Sequence, residues 1–255
     1  MKRILAVHAH PDDIEFLCAG TLALLAEMGH HVTIATMTAG DCGSVETSLE
    51  DTARIRQNEA ATAAALIGAE YACAGFGDLC VFNDDSSRRR TTELVRTARP
   101  DIVITASPVD YHPDHEATSM LVRDAVFASS VPNYRAGPPR PLAAIPHLYF
   151  MDPIEGRDRK GQVVDPDFAI DVTSNFSKKS DMLAAHESQR SWVRKQHGVD
   201  DYMASMERWT AKRGAQFGVS YAEGFRQYVG TPYPRSRLLQ DLVAGNLIVA
   251  PRTNA

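Results

Sequence analysis

Two short polar motifs, HPDD at residues 10–13 and HPDH at residues 112–115, contain residue types suited to metal binding and acid–base chemistry. Each follows an apolar, β-rich segment, so each is expected beyond the carboxyl end of a strand, where open α/β sheets bind their ligands. Two histidines and a carboxylate from two strand ends can converge on one cation and leave a position for water, as in catalytic zinc sites. The sequence therefore predicts a metal site with three protein ligands.

Neighbouring residues within each motif can divide the chemistry, because adjacent side chains in a turn point in different directions. If Asp13 binds the metal, Asp12 is free to accept and release protons. The His-x-x-His spacing likewise allows one of His112 and His115 to bind metal while the other faces the substrate. Asp114, between them, can hydrogen-bond a ring nitrogen and fix its tautomer.

Strands and helices alternate along the first half of the chain. Strands are predicted at residues 3–8, 32–38, 70–74 and 101–107, and helices at 14–28, 53–68, 91–98 and 115–129. This alternation favours a Rossmann-like α/β fold, with a mostly parallel sheet and helices on both faces. Further strands are predicted at 145–151 and 166–172, and the segment 175–228 is expected to be mainly helical.

The length of 255 residues, with 44% hydrophobic and 23% charged residues, is typical of one globular domain. We expect residues 1–255 to form that domain, with a core over about 1–130 that holds the metal site. Residues 131–255 are expected to add a loop, the late strands and a helical C-terminal cap. The stretch at about 130–140 is rich in proline and glycine and is predicted to be a loop.

Composition also bears on partners and location. A net charge of −5 gives no general attraction for phosphate backbones, so a nucleic-acid partner is not expected. No stretch has the 18 or more apolar residues of a membrane-spanning helix. Four cysteines without a CxxC pair favour a reducing compartment, so a cytoplasmic protein is expected. The sequence leaves a homo-oligomer open.

The motifs AHPDDIEF at residues 9–16 and YHPDH at residues 111–115 resemble those of the LmbE-like (PIG-L) family of zinc-dependent N-deacetylases. The resemblance extends through TAGDCGS at 38–44, RQNE at 56–59 and AAHESQ at 184–189. It implies a hydrolase that removes an acyl group, expected to be acetyl, from an amide nitrogen. The implied substrate is an N-acylated small molecule of the N-acetylglucosamine type.

The resemblance also assigns roles to residues. The metal ligands that it implies are His10, Asp13 and His115. It makes Asp12 the general base and His112 the group that stabilises the oxyanion, and we place Asp114 in the same catalytic group. The expected ion is Zn²⁺, although such N and O ligands also accept Fe²⁺. The expected substrate contacts are Arg56, Glu59, Asp78 and Tyr111.

Two other classes of function remain open from the residues alone. Two histidines and one carboxylate also form the iron site of non-haem oxygenases, although that site gives no role to a second carboxylate such as Asp12. A non-catalytic nucleotide-binding Rossmann module is the other alternative, although no GxGxxG motif follows the first strand. The sequence does not decide whether Asp12 or His112 returns the proton to the leaving amine. It also leaves the roles of Glu15, Asp84 and His186 open.

Overall fold

The computed structural model describes residues 1–197 and 201–249. Its strands form one sheet with the order β3-β2-β1-β4-β5-β7-β6-β8. The strands are β1 Arg3–His8, β2 His31–Thr38, β3 Glu70–Phe76, β4 Ile102–Thr105, β5 His147–Met151, β6 Phe168–Asp171, β7 Ala222–Gln227 and β8 Leu247–Ile248. From β3 to β5 all neighbours are parallel, and the strands beyond β5 are antiparallel to their neighbours.

The helices are α1 Asp13–Leu17, α2 Ala19–Glu27, α3 Leu49–Ala65, α4 Asp85–Ala98, α5 Pro113–Ser129, α6 Phe176–Ala184, α7 Glu187–His197, α8 Asp201–Phe217 and α9 Leu238–Leu242. Short 3₁₀ turns cover Ile154–Gly156 and Thr173–Asn175. The single helix predicted at 14–28 is divided, because Cys18 has a non-helical backbone (φ −143°). Helix α3 begins where Ser48 accepts a hydrogen bond from the backbone N of Asp51, a common N-cap.

The order of the strands reverses at β1. The chain runs outward from β1 to β2 and β3, and it then returns to place β4 on the other side of β1. Such a switch point opens a crevice at the carboxyl ends of the two central strands, where α/β proteins bind ligands. The two polar motifs follow those two strands.

Hydrophobic residues fill both faces of the sheet. On β1, Ile4 and Ala6 pack into one core cluster and Leu5 and Val7 into the other. Because successive side chains of a strand point to opposite faces, a strand buried on both sides is apolar throughout. The predicted α/β fold, with helices on both faces of a mostly parallel sheet, is confirmed.

The C-terminal part differs from the prediction at one place. The segment expected to be mainly helical contains β7, which is inserted antiparallel between β5 and β6. Residues 198–200 and 250–255 of the predicted cap lie outside the described part of the chain. Among the described helices, none has the length and apolar character needed to cross a bilayer.

Candidate metal and acid–base site

The two polar motifs meet at the carboxyl edge of the sheet, between β1 and β4. Asp13, the last residue of HPDD, is the first residue of α1. His112, the first residue of HPDH, is the N-cap of α5, and Pro113 occupies the first turn of that helix. Proline suits this position because it lacks the N–H that would be unpaired there. The structure therefore brings the predicted ligands together, as their strand ends suggest.

One oxygen, Asp13 Oδ2, lies at the centre of the histidine cluster. It accepts hydrogen bonds from His8 Nδ1 at 2.7 Å and from the backbone N of His10 at 2.8 Å. The same oxygen lies 3.3 Å from His10 Nδ1 and 3.4 Å from His115 Nε2. Two ligands that share a tetrahedral ion at about 2.0–2.1 Å stand about 3.3–3.4 Å apart. The pairs His10–Asp13 and His115–Asp13 therefore have the spacing of two ligands on one small divalent cation.

Two overlapping groups of side chains offer ligand atoms within 4.8 Å of one another. One group is His10, His112 and His115, and the other is His8, Asp13 and His115. The predicted ligand set takes members from both groups. His8, two residues before His10, is fully buried and contacts the carboxylate of Asp13 directly.

The charges around this cluster favour a cation. Burial opposes protonation of His10, but contacts with the carboxylates of Asp114 and Asp13 raise its pKa to about 9. Burial also opposes protonation of His115, yet the charge of Asp13 and the contact with Asp110 raise its pKa to about 10. Although burial disfavours its charged form, the neighbouring histidines hold the pKa of Asp13 well below its usual range. The carboxylates thus stabilise positive charge at His10 and His115. A bound metal ion would take the place of the protons on these rings.

Carboxylates outside the ligand set orient both predicted histidine ligands. His10 Nε2 lies 3.3 Å from Asp114 Oδ2, and that oxygen also accepts a hydrogen bond from the backbone N of Leu79 at 2.7 Å. His115 Nδ1 lies 3.1 Å from Asp110 Oδ1. A carboxylate on the second ring nitrogen fixes the tautomer of a metal-binding histidine. Asp114 stands where this function requires it, and sequence reasoning did not single out Asp110.

The carboxylate of Asp12 contacts groups outside the histidine cluster. Its backbone φ of 105° lies in the left-handed region, which few residues other than glycine adopt. Its Oδ2 accepts a hydrogen bond from Tyr202 Oη at 2.7 Å and lies 3.3 Å from Arg56 Nη2. Burial raises the pKa of Asp12 against the opposing charge of Arg56. A carboxylate with a raised pKa, separate from the metal ligands, is suited to proton transfer.

His112 has one ring nitrogen engaged by its own helix. His112 Nδ1 accepts a hydrogen bond from the backbone N of Asp114 at 3.2 Å, so the neutral ring carries its hydrogen on Nε2. Its ring centroid lies 4.8 Å from those of His10 and His115. Burial and the positive charges of these two histidines lower the pKa of His112. The capping contact thus provides an Nε2 donor in the neutral form.

Two of the four expected substrate contacts are engaged inside the protein. The buried Arg56 donates to the carbonyl oxygens of Pro11 at 2.7 Å and Gly40 at 3.1 Å. A Cβ at Gly40 would lie 2.4 Å from the guanidinium, which explains a glycine within TAGDCGS. Glu59 accepts hydrogen bonds from the backbone N and hydroxyl of Ser188 and so joins α3 to α7.

The other two expected contacts lie nearer the crevice. Asp78 accepts a hydrogen bond from the backbone N of Cys42 at 2.9 Å and links two loops. Tyr111 is 62% exposed, and its ring centroid lies 5.5 Å from that of His115. Tyr111 therefore has the geometry for a substrate contact. Asp84, an alternative to Asp78, caps α4 by accepting from the backbone N of Ser87.

Glu15 and His186 meet in the interior beside Asp12. Both are buried, and His186 Nε2 lies 3.5 Å from Glu15 Oε1. Although burial opposes its protonation, Glu15 raises the pKa of His186. The motifs HPDDIEF and AAHESQ are thus packed against each other. Tyr202 on α8 was missed from the sequence, because a single tyrosine 190 positions from Asp12 belongs to no motif.

The chain is similar to known proteins in sequence and in fold. A family model described as "PIG-L: GlcNAc-PI de-N-acetylase" matches residues 5–126. The 4-oxalmesaconate hydratase of Pseudomonas putida is 26% identical over 189 residues, which cover 70% of each chain. The diacetylchitobiose deacetylase of Thermococcus kodakarensis is 25% identical over 201 residues, 74% of this chain and 70% of that protein. The N,N'-diacetylchitobiose deacetylase from Pyrococcus horikoshii shares the fold, with a TM-score of 0.77, 24% identity, and coverage of 93% of this chain and 88% of its own.

Proposed function

We propose that the chain is a zinc-dependent N-deacetylase of the LmbE-like (PIG-L) family, because a model of that family matches residues 5–126. The reaction is hydrolysis of the N-acetyl amide of a small molecule of the N-acetylglucosamine type. The observation that carries the proposal is the position of Asp13 Oδ2, within 3.4 Å of ring nitrogens of three histidines. Asp12 directly precedes Asp13 in the chain, but its carboxylate contacts Tyr202 and Arg56.

The chain's own residues would hold the metal and move the protons. His10, Asp13 and His115 would bind the ion, which when bound lowers the pKa of water and polarises a carbonyl. The proton of the attacking water goes to Asp12, and a proton from Asp12 or His112 goes to the amine nitrogen as the C–N bond breaks. Tyr202 and Arg56 both contact Oδ2 of the Asp12 carboxylate. Oδ1 is therefore the oxygen that takes the proton. These two contacts also fix the carboxylate in one orientation.

His112 supplies the hydrogen bond to the developing oxyanion. Its Nδ1 is engaged by the backbone of α5, so Nε2–H is the available donor. A donor held in place before the reaction stabilises charge that forms only in the transition state. The side chain of Tyr111, exposed beside His112 and His115, would contact the bound substrate.

A second candidate function is hydration of a carbon–carbon double bond, because one relative is a hydratase. Activated water, a carboxylate that accepts a proton and a histidine donor serve either reaction. The two functions differ in what they release: deacetylation gives acetate and a free amine, whereas hydration releases nothing. Product analysis therefore separates them.

The test is a product assay on the metal-reconstituted protein. Purified chain loaded with Zn²⁺ or Fe²⁺ is incubated under argon with N-acetylglucosamine and N,N'-diacetylchitobiose, and acetate and free amine are measured. We expect equal amounts of both products without oxygen, which also contradicts an oxygenase. In parallel, 4-oxalmesaconate is followed for addition of water. Hydration without acetate release from any N-acetyl substrate would refute the deacetylase proposal.

A further inference from the structure

A cavity of about 140 Å³ lies between α3, α7 and the loop that follows β2. It is here called the α3–α7 cavity, and its walls include Glu46, Ile55, Arg56, Ser188, Trp192 and Lys195. An apolar cavity of about 150 Å³ in another protein can hold a benzene molecule. The α3–α7 cavity therefore has room for a ligand of a few non-hydrogen atoms.

Arg56 belongs both to this cavity and to the proposed catalytic site. Its guanidinium donates to the carbonyl oxygens of Pro11 at 2.7 Å and Gly40 at 3.1 Å. Its Nη2 also lies 3.3 Å from Asp12 Oδ2, which is the longest of these three contacts. A ligand that binds to Arg56 from the cavity therefore acts on a residue that orients the proposed base.

Two N–H groups of residues that line the cavity have no acceptor within the described part of the chain. Arg56 is 4% exposed, and its Nε is buried without a hydrogen-bond partner. Trp192 Nε1 is also buried without a partner. A buried donor without an acceptor is costly, and the cost is greater when the donor is charged. The cavity therefore favours a ligand that carries hydrogen-bond acceptors.

The charges of the cavity favour a monoanion. Its charged lining residues are Arg56, Lys195 and Glu46. Lys195 Nζ lies 2.7 and 2.8 Å from the two carboxylate oxygens of Glu46, so these two charges offset each other. Arg56 supplies the remaining positive charge, which it shares with Asp12. A carboxylate brings one negative charge and two acceptor oxygens, whereas a phosphate dianion would face this single guanidinium.

The pair of Glu46 and Lys195 joins the loop after β2 to α7. Both side chains are more than half exposed, so the pair lies where the cavity meets solvent. Exposed ion pairs of this kind contribute little to stability, so this pair can open to admit a ligand. Inside, the side chain of Ile55 and the ring of Trp192 provide apolar surface for an alkyl group.

We propose that the α3–α7 cavity binds a small carboxylate, which accepts hydrogen bonds from Arg56 Nε and Trp192 Nε1. The bound anion draws the guanidinium toward the cavity and loosens its contact with Asp12, so turnover falls. Acetate, the product of the proposed reaction, is a carboxylate of this size. The cavity thus makes acetate an inhibitor that does not compete with substrate. The inhibition rests on the proposed function, whereas the binding site does not.

Binding is tested with the holoenzyme carrying Trp209→Phe, in which Trp192 is the only tryptophan. We expect its fluorescence to change saturably as sodium acetate is added. Sodium chloride at the same ionic strength should leave the fluorescence unchanged, because chloride does not provide two acceptor oxygens. Equal responses to acetate and chloride would show an effect of salt alone and would overturn the site.

Kinetics then locate the inhibition. Acetate should lower kcat at saturating substrate and leave KM nearly unchanged, because it binds apart from the substrate. Trp192→Phe should raise the acetate concentration for half-inhibition about tenfold, since it removes one donor to a charged acceptor. Trp209→Phe is the matched control: the same change is made on α8, where the ring packs against Gly156, and inhibition should not change. Inhibition that raises KM alone, or that is equal in both variants, would overturn the proposal.

The fluorescence titration separates this proposal from the deacetylase function, because it needs no turnover. Saturable acetate binding by a holoenzyme that releases no acetate from any N-acetyl substrate would support the cavity and refute the function. Acetate release together with equal fluorescence responses to acetate and chloride would support the function and refute the cavity.

Discussion

The two adjacent carboxylates offer the sharpest test of the proposed site, because nearly isosteric substitutions should have opposite effects. In Asp12→Asn the amide oxygen still accepts from Tyr202 and Arg56, so the local structure is retained. The amide does not accept the proton of water at neutral pH. Loss of a general base costs about 10² to 10⁴ in rate. We therefore expect kcat to fall by that factor while the metal stays bound.

Asp13→Asn should instead release the metal. Its Oδ2 is the anionic atom among the ring nitrogens of His8, His10 and His115. With a neutral amide in its place, the ion keeps two neutral nitrogen ligands and loses the charge that compensates its own. Mutation of a residue that only hydrogen-bonds a metal ligand already weakens metal affinity by about 10- to 100-fold. The direct ligand should therefore weaken binding by more than about 100-fold.

The assay combines metal content after gel filtration, acetate release at saturating Zn²⁺ and thermal melting. Asp51→Asn, an exposed carboxylate near the start of α3, is the control for the same chemical change. It should retain both metal and rate. If Asp12→Asn loses its metal while Asp13→Asn keeps it, the two roles are exchanged. If Asp12→Asn turns over at the wild-type rate with metal bound, the assignment of the base is wrong.

Three further outcomes follow from contacts near and below the site. His112→Ala should keep its metal and KM while kcat falls about 10²- to 10³-fold, and a change in KM alone would make His112 a binding residue. Gly40→Ala should lower kcat, because the added Cβ would displace the Arg56 guanidinium. Gly29→Ala is the control: Gly29 has a similar φ, and a Cβ there would meet no atom within 4 Å, so kcat should not change. Equal kinetics in both variants would contradict this expectation. Lys179→Met leaves a buried carboxylate on β7 without its cation and should lower the free energy of unfolding by about 3–5 kcal/mol in denaturant titrations. A loss under about 1 kcal/mol would show that this pair does not hold α6 to the sheet.

The convergence of these histidines and carboxylates could be predicted from the sequence because the residues lie at the ends of two strands. HPDD and HPDH each lie within a few residues of a buried strand, and parallel strands place such ends at one edge. The hydrogen bond from Tyr202 to Asp12 could not be predicted in this way. It depends on how α8 packs against the sheet, and no spacing rule connects residues so far apart in sequence.

Pattern rules also failed where tertiary contacts override them. Arg56 and Glu59 are one helical turn apart, which favours an ion pair between them. In the structure Arg56 pairs with Asp12 and Glu59 binds Ser188, because buried groups on other elements satisfy both charges better. Strand β7 was missed because Glu223, Gly224 and Arg226 interrupt its apolar pattern. Glu223 is nevertheless buried, with Lys179 and two backbone N–H groups at the start of α2 as its partners.

The residues of the proposed site come from inside and outside the part of the chain that the family model matches. The predicted metal ligands and Asp12 lie within residues 5–126, the matched part. Tyr202 lies beyond it, on α8, and donates a hydrogen bond to Oδ2 of Asp12. Under the proposed function, the residues that activate water belong to the matched part of the chain, whereas one hydrogen bond that orients the base comes from outside it.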